Sequence, residues 1–187
     1  MNYWDKYYKT FKESQPSKFA KSCLKYLNPH STIIDLGCGN GRDSSFFKSK
    51  GFSVLPVDKA KHINIPYIQE DFTKLNNIPI DNIYMRFSLH SITKVEENRV
   101  LRWAYRNLLD GVLCIEVRSI KDRLYGKGVK VGVDEYIYTH YRRFIRKEEL
   151  EQSLKKIGFK ILYSKERRNF APYKRANPKI LRIIAKK

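Results

Sequence analysis

This sequence predicts an α/β fold: a mostly parallel sheet with helices on both faces. Three observations carry the prediction. A β-branched run, Ser31-Thr32-Ile33-Ile34, passes through a turn with glycines at alternate positions, Gly37, Gly39 and Gly41, into a helical pattern that opens at Asp43. Apolar runs of strand length then alternate with amphipathic helical runs along the chain. Finally, Asp35, Asp58, Asp71 and His90 each fall at or just past the end of a strand, where open α/β sheets bind their ligands.

In chain order, Lys18 to Leu27 carries Phe19, Cys23, Leu24 and Leu27 at helical spacing, with Pro16 before it and Asn28-Pro29 after. Together with the aromatic cluster Tyr3-Trp4-Asp5-Lys6-Tyr7-Tyr8, it is expected to form a helical cover over residues 1–30. Those aromatic rings then either pack on the domain edge or stack on a ligand. After the glycine turn, Gly51 to Asp58 reads as a helix stop and a second strand. Asp58 lies about 20 residues beyond the turn, where a carboxylate meets ribose hydroxyls. Ile68 to Phe72 fits a short third strand ending in Asp71-Phe72, and Asp81 to His90 a fourth strand and its exit. Val95 to Leu109 is amphipathic, whereas Gly111 to Val117 is a nearly continuous apolar run that reads as a buried fifth strand. Residues 118–146 read as one long loop, a length usually reserved for function. A helix from Lys147 to Ile157 follows, then two strands, Gly158 to Tyr163 and Ile180 to Ala185, expected to pair antiparallel. That gives seven strands, and 187 residues suit one domain.

Charge is uneven. Residues 1–93 carry 13 Lys and Arg against 8 Asp and Glu; residues 94–187 carry 25 against 11. The excess attracts polyanions without selecting among nucleic acid, anionic glycan, phosphorylated sugar and a membrane surface. Cys23, Cys38 and Cys114 are odd in number and lack the C-x-x-C spacing, so neither a disulfide framework nor a zinc site is expected. A reducing, cytoplasmic setting follows from them, with no membrane span.

The glycine turn is the most specific feature. Its spacing is G-x-G-x-G rather than the G-x-G-x-x-G of dinucleotide sites, with Asp35 two residues ahead of the first glycine. A carboxylate there repels pyrophosphate and suits a cation bearing an amino group. Asp35-x-Gly37-x-Gly39-x-Gly41 resembles motif I of the class I S-adenosylmethionine (SAM)-dependent methyltransferases. The resemblance implies a Rossmann-like fold with a seven-stranded, mostly parallel sheet closed by a C-terminal antiparallel hairpin, and SAM as cofactor. It also implies a SAM site of Asp35, Gly37, Cys38, Gly39, Gly41, Asp58, Asp71, Phe72 and Arg86, with Asp71 accepting from the adenine amino group and Phe72 against the ring. The longer run Asp-Leu-Gly-Cys-Gly-Asn-Gly-Arg-Asp-Ser is similar to the small-molecule branch that includes tellurite-resistance and sugar O-methyltransferases. Tyr-x-Arg86-Phe87-x-Leu-His90, Glu116-Val117-Arg118-Ser119 and His140-Tyr141-Arg142-Arg143-Phe144 resemble methyltransferases of surface-polysaccharide synthesis and of large algal viruses. For a viral protein the setting becomes the host cytoplasm.

That likeness implies methylation of a sugar hydroxyl on a glycan. An alcohol needs a proton acceptor, and imidazole titrates near neutral pH, so His90 and His140 are the candidate bases, with Asp122 to orient one of them, act itself or bind a metal ion. Glu116, Arg118, Tyr141, Arg142 and Arg143 are the expected substrate contacts, the arginines holding an anionic group. No three-ligand constellation stands out, so a divalent metal is left unassigned. The fourth strand lacks the Asn/Asp-Pro-Pro-Tyr/Phe signature of nucleic-acid N-methylating relatives, no Pro-Cys dipeptide offers a thiolate, and Arg86 stands where ribose 2′-O RNA methyltransferases keep an Asp. An RNA or tRNA methyltransferase is the alternative, resting on the basic half; a catalytically silent SAM-binding module is the third reading.

Overall fold

The computed structural model describes residues 3–10, 15–61 and 65–187. Residues 1–2 and 11–14 of the expected N-terminal cover lie outside them. The sheet starts at β1 (Thr32–Leu36), flanked in parallel by β2 (Ser53–Asp58) and β4 (Asn82–Arg86). The short β3 (Ile68–Gln69) extends it beyond β2, and β5 (Val112–Arg118) pairs in parallel with β4. Two C-terminal strands, β9 (Lys160–Arg167) and β10 (Ile180–Lys186), close it, with β10 antiparallel to both β5 and β9. The order is β3-β2-β1-β4-β5-β10-β9. This is the Rossmann-like methyltransferase arrangement the sequence predicts, hairpin included.

Both sheet faces are covered, which is why the central strands are apolar on successive residues rather than alternate ones. On one face α4 (Lys94–Asn107) and α5 (Lys147–Ile157) bury Leu101, Ala104, Leu150 and Leu154 against Ile34, Ile83, Leu113 and Ile183. On the other, α2 (Lys18–Cys23) and α3 (Arg42–Ser49) bury Phe19, Cys23 and Phe47 against Ile33, Tyr84 and Cys114. Each large side chain so removed from water contributes about 1.5–3 kcal/mol. Helix ends follow local chemistry: Thr93 and Glu96 form a capping box on α4, and Gly158 ends α5 at φ +121°.

Two sequence expectations change. The helix expected from Lys18 to Leu27 relaxes after Cys23 into a 3₁₀ turn, Leu24–Tyr26. Residues 118–146 are not one long loop: they fold into a three-stranded antiparallel sheet, β6 (Val129–Gly132), β7 (Glu135–Ile137) and β8 (Tyr141–Arg143). Hydrogen bonds from Ile120 N to Ile145 O (3.1 Å) and Ile145 N to Arg118 O (2.9 Å) fasten it to the end of β5. The N-terminal α1 (Tyr3–Thr10) lies across the strand ends, tied down where Asp5 Oδ1 accepts from Lys61 N at 2.7 Å. No helix among the described residues is long and apolar enough to cross a membrane.

Candidate active site

The strand ends of β1, β2 and β4 build an acidic corner around the glycine turn. Gly37 holds φ +80° and its N–H reaches Val57 O at 2.8 Å; a Cβ there would lie 2.6 Å from Ser88 Cβ, so only glycine fits. Asp35 is buried at the end of β1 and accepts from Ser44 Oγ at 2.6 Å. Burial pushes its carboxyl up to about 7 against the pull of that bond, and the charges of Asp43 and Asp58 add to the rise. Asp58 receives Gly39 N at 2.9 Å and Ala60 N at 2.8 Å; burial raises its carboxyl while these bonds hold it back. Above the turn, Tyr8 of α1 sits so close that a Cβ on Gly39 would lie 2.6 Å from its hydroxyl. Ser88 Oγ is buried beside Gly37 with no hydrogen-bond partner.

Asp43, in the first turn of α3, is a member the sequence reading missed. It accepts from Ser17 N (2.7 Å), Ser17 Oγ (2.8 Å) and Tyr84 Oη (2.8 Å), with Arg86 Nε at 4.0 Å. The signal was present: an acid in a first helical turn next to the glycines, with a tyrosine in the adjoining strand. Arg86 is also tied to Glu116 at 2.9 Å, and Glu116 in turn receives Arg182 at 2.6 Å.

The opposite corner is basic and imidazole-rich. His90, in the turn after β4, is buried, and its Nδ1 accepts from Arg118 N at 3.2 Å. A nitrogen that accepts carries no proton, so this bond assigns the ring proton to Nε2. Burial first, then the nearby Arg142 and Arg118 charges, hold His90 well below the usual imidazole range. His140 packs at a tilt against Tyr3 (4.5 Å between centroids, 32° between planes) and Trp4 (4.9 Å, 55°). Its Nε2 takes a hydrogen bond from Arg142 Nη2 at 2.7 Å, leaving Nδ1 to donate to Thr139 Oγ1 at 3.0 Å. Burial and the Arg142 and Arg118 charges push it down to about 4. Both rings are therefore neutral, and the accepting nitrogen of each is already engaged.

A cavity of about 460 Å³ joins the two corners, within the range of small-molecule sites. Of the residues predicted for the site, Asp35, Gly37, Cys38, Gly39, Asp58, Phe72, Arg86, His90, Arg118, His140 and Arg142 line it. Six stand elsewhere. Gly41 caps α3. Asp71 caps a 3₁₀ turn through Thr73 N (2.9 Å) and Thr73 Oγ1 (2.8 Å). Asp122 is spent on Arg118 Nη1, Leu124 N and Lys179 N, and Glu116 on its two arginines. Tyr141 faces Ile92 O, and Arg143 is buried on Glu97 with further bonds to Ile92 O and Leu89 O. The cavity also takes in Tyr3, Trp4, Tyr7 and Tyr8 of α1 and residues 170–173 of the β9–β10 connection. Among the described residues no three His, Cys, Asp or Glu side chains gather as a metal site would require.

A glycine turn at the first strand end, a carboxylate at the second and a cavity above them define a nucleotide-cofactor enzyme of Rossmann-like fold. The chain belongs to the family described as methyltransferase domain, whose model matches residues 8–164, and it is a SAM-dependent methyltransferase. No curated protein matches its sequence. Among solved structures it is similar to a SAM-dependent methyltransferase of Methanosarcina mazei, at TM-score 0.71 and 19% identity over 87% of this chain and 95% of the other. It is also similar to a methyltransferase of Clostridium acetobutylicum (TM-score 0.71, 16% identity, 98% and 95% covered). A third is the 1,6-didemethyltoxoflavin-N1-methyltransferase of Burkholderia thailandensis, solved with its acceptor and S-adenosylhomocysteine (TM-score 0.68, 18% identity, 90% and 76% covered). The acidic corner fits the cofactor: a cradle that a Cβ would fill at Gly37, an unpartnered hydroxyl on Ser88, and a carboxyl at Asp35 that a cation would ionise.

Proposed function

We propose that the chain methylates a small acceptor with a flat ring face, at a heteroatom that is nucleophilic without a strong base. Bound SAM supplies an electrophilic methyl group for in-line displacement, so the protein's task is placement. In this reading Asp35, Gly37, Ser88 and Asp58 hold the cofactor, with Cys38, Gly39, Phe72 and Arg86 around it and Asp71 at the rim. Helix α1 is the cover, and residues 118–146 present the acceptor from the other side. Tyr3, Trp4 and Tyr7 offer aromatic faces to a ring, and His90 offers a donor through Nε2.

The observation that carries this reading is the state of the two imidazoles. Each is neutral, each is held below its ordinary range, and the accepting nitrogen of each is committed to an arginine N–H. Neither is poised to deprotonate an alcohol, whereas a ring nitrogen or an acidic hydroxyl needs no such help. The similarity in fold to a 1,6-didemethyltoxoflavin-N1-methyltransferase is consistent with it.

The second reading is the sugar hydroxyl of a glycan. It is favoured by His140, whose Nε2 would be released as a base if Arg142 turned toward the acceptor. Labelled SAM with a panel of N-heterocycles, phenols, neutral sugars and RNA separates the readings. Label in heterocycles or phenols, with His140→Ala slowing turnover less than about tenfold, supports the first. Label only in sugars, with the same change costing about 10²–10⁴-fold, establishes the second. Transfer to RNA alone overturns both.

A further inference from the structure

Arg142 sits at the basic end of the cavity, 8% exposed, and its Nε has no hydrogen-bond partner. Of its fork, Nη2 donates to His140. A buried guanidinium with an unused donor is costly unless a ligand completes it. Arg118 lines the same end and has one charged partner, Asp122, at 3.2 Å. The carboxylate of Asp122 also accepts from Leu124 N and Lys179 N. His90 and His140, the other titratable groups there, are neutral. Two guanidinium charges thus face one carboxylate, leaving an excess positive charge that nothing in the described residues balances. That excess pushes Arg142 itself down to about 10, with burial the larger cause.

We propose that Arg142 and Arg118 form an anion subsite, so that the methyl acceptor carries a carboxylate or phosphate group which docks on the Arg142 fork while its ring lies against α1. The inference rests on the reading of the cavity as an acceptor pocket. It deepens that reading by naming a chemical class: acidic, ring-bearing acceptors. Guanidinium suits both anions because its N–H groups form a planar fork that matches two oxygens. Consecutive residues of a strand point to opposite sides, which is why Arg142 serves the cavity while Arg143 is buried on Glu97.

Calorimetry of the S-adenosylhomocysteine-saturated protein with benzoate, phenyl phosphate and benzamide tests it. At least one of the two anions should bind about 10–100-fold more tightly than the neutral amide, as expected for a charged hydrogen-bonded pair, and whichever leads identifies the natural group. Arg142→Gln should erase the preference and Arg118→Gln should reduce it, while affinity for S-adenosylhomocysteine stays within about twofold for both variants. Equal binding of anion and amide, no binding of either anion, or a preference that survives Arg142→Gln overturns the subsite. If S-adenosylhomocysteine itself fails to bind the unaltered protein, the methyltransferase reading of the cavity falls instead, and the same titrations without it still decide the anion question. Should Arg142→Gln fail to fold, Arg118→Gln with the benzoate–benzamide pair decides it: a reduced preference supports the subsite and an unchanged one overturns it.

Discussion

The two ends of the cavity are built from the same kind of material, strand ends carrying charged side chains, yet they solve opposite problems. At the glycine end, Asp35, Asp43 and Asp58 crowd together, and most of their oxygens are satisfied by backbone N–H and hydroxyl groups. At the far end, arginines crowd around two neutral imidazoles and one guanidinium nitrogen is unsatisfied. A cationic cofactor and an anionic acceptor would each neutralise the end they enter. In the proposed reading, the cavity is therefore polarised along the direction in which a methyl group would travel. Charge placement, more than any single base, is what this site offers a displacement reaction.

Glu116 ties three neighbouring strands together beneath the cavity, because one carboxylate on β5 receives Arg86 from β4 and Arg182 from β10. It is fully buried and touches no open part of the cavity, which moves it from expected substrate contact to framework. Glu116→Gln would leave the buried Arg182 without its counter-charge and Arg86 with only Asp43 at 4.0 Å, at a cost of about 3–5 kcal/mol. Chemical denaturation should show this loss at unchanged slope. A loss under about 1 kcal/mol would mean that the three strands are held together without this carboxylate.

Removing charge at the acidic end alone should affect only the cofactor. Asp35→Ala deletes the carboxylate nearest the glycine cradle, and about 10²–10³-fold weaker SAM binding is expected for a truncated buried charge pair. Benzoate affinity should be unaffected. If both ligands weaken together, the two ends are one electrostatic unit.

Much of this was legible before the fold was seen. The turn Gly37-x-Gly39-x-Gly41 leads to the acidic corner of the cavity because its spacing reflects backbone geometry, and the seven strands follow from apolar runs that both sheet faces bury. Side-chain partnerships across the sheet were not legible. Glu116, Asp122 and Arg143 look like functional charges in a sequence, but each is consumed by a partner 4 to 66 residues away. Residues 118–146 are short strands interrupted by Gly126, Gly128 and Gly132, so their periodicity is too brief to read. Had β8 been recognised as a strand, alternation alone would have separated Arg142 from Arg143.

The raised carboxyl of Asp35 makes the acidic end pH-sensitive in a definite sense. In the cofactor-free protein the group keeps its proton up to about 7, whereas an ordinary aspartate ionises near 3.8. The stability contributed by this protonation is full below pH 3.8 and is lost as the pH rises through about 7. Binding a cation favours the ionised form. SAM affinity should accordingly climb about tenfold per unit from roughly pH 5.5 to 7 and level off above. A flat profile would show that Asp35 is already ionised, or that the cation lies elsewhere.

The finest distinction concerns Asp71, which resemblance assigns to the adenine amino group and the structure shows capping a turn. Its Oδ1 takes both Thr73 bonds, and these hold the carboxyl below the usual range although partial burial pushes the other way. A half-exposed acceptor of this kind is worth about 0.5–1.5 kcal/mol to a ligand, so Asp71→Ala should weaken S-adenosylhomocysteine by about 2–10-fold. Loss of the cap alone would lower stability by about 1 kcal/mol and could loosen the site by a similar factor. S-inosylhomocysteine, which lacks the amino group, separates the two causes. If Asp71 reads adenine, the substitution weakens the adenosyl ligand and leaves the inosyl ligand unchanged. If it only caps the turn, both weaken in equal proportion, and the adenine end of the cavity is recognised by shape against Phe72 rather than by charge.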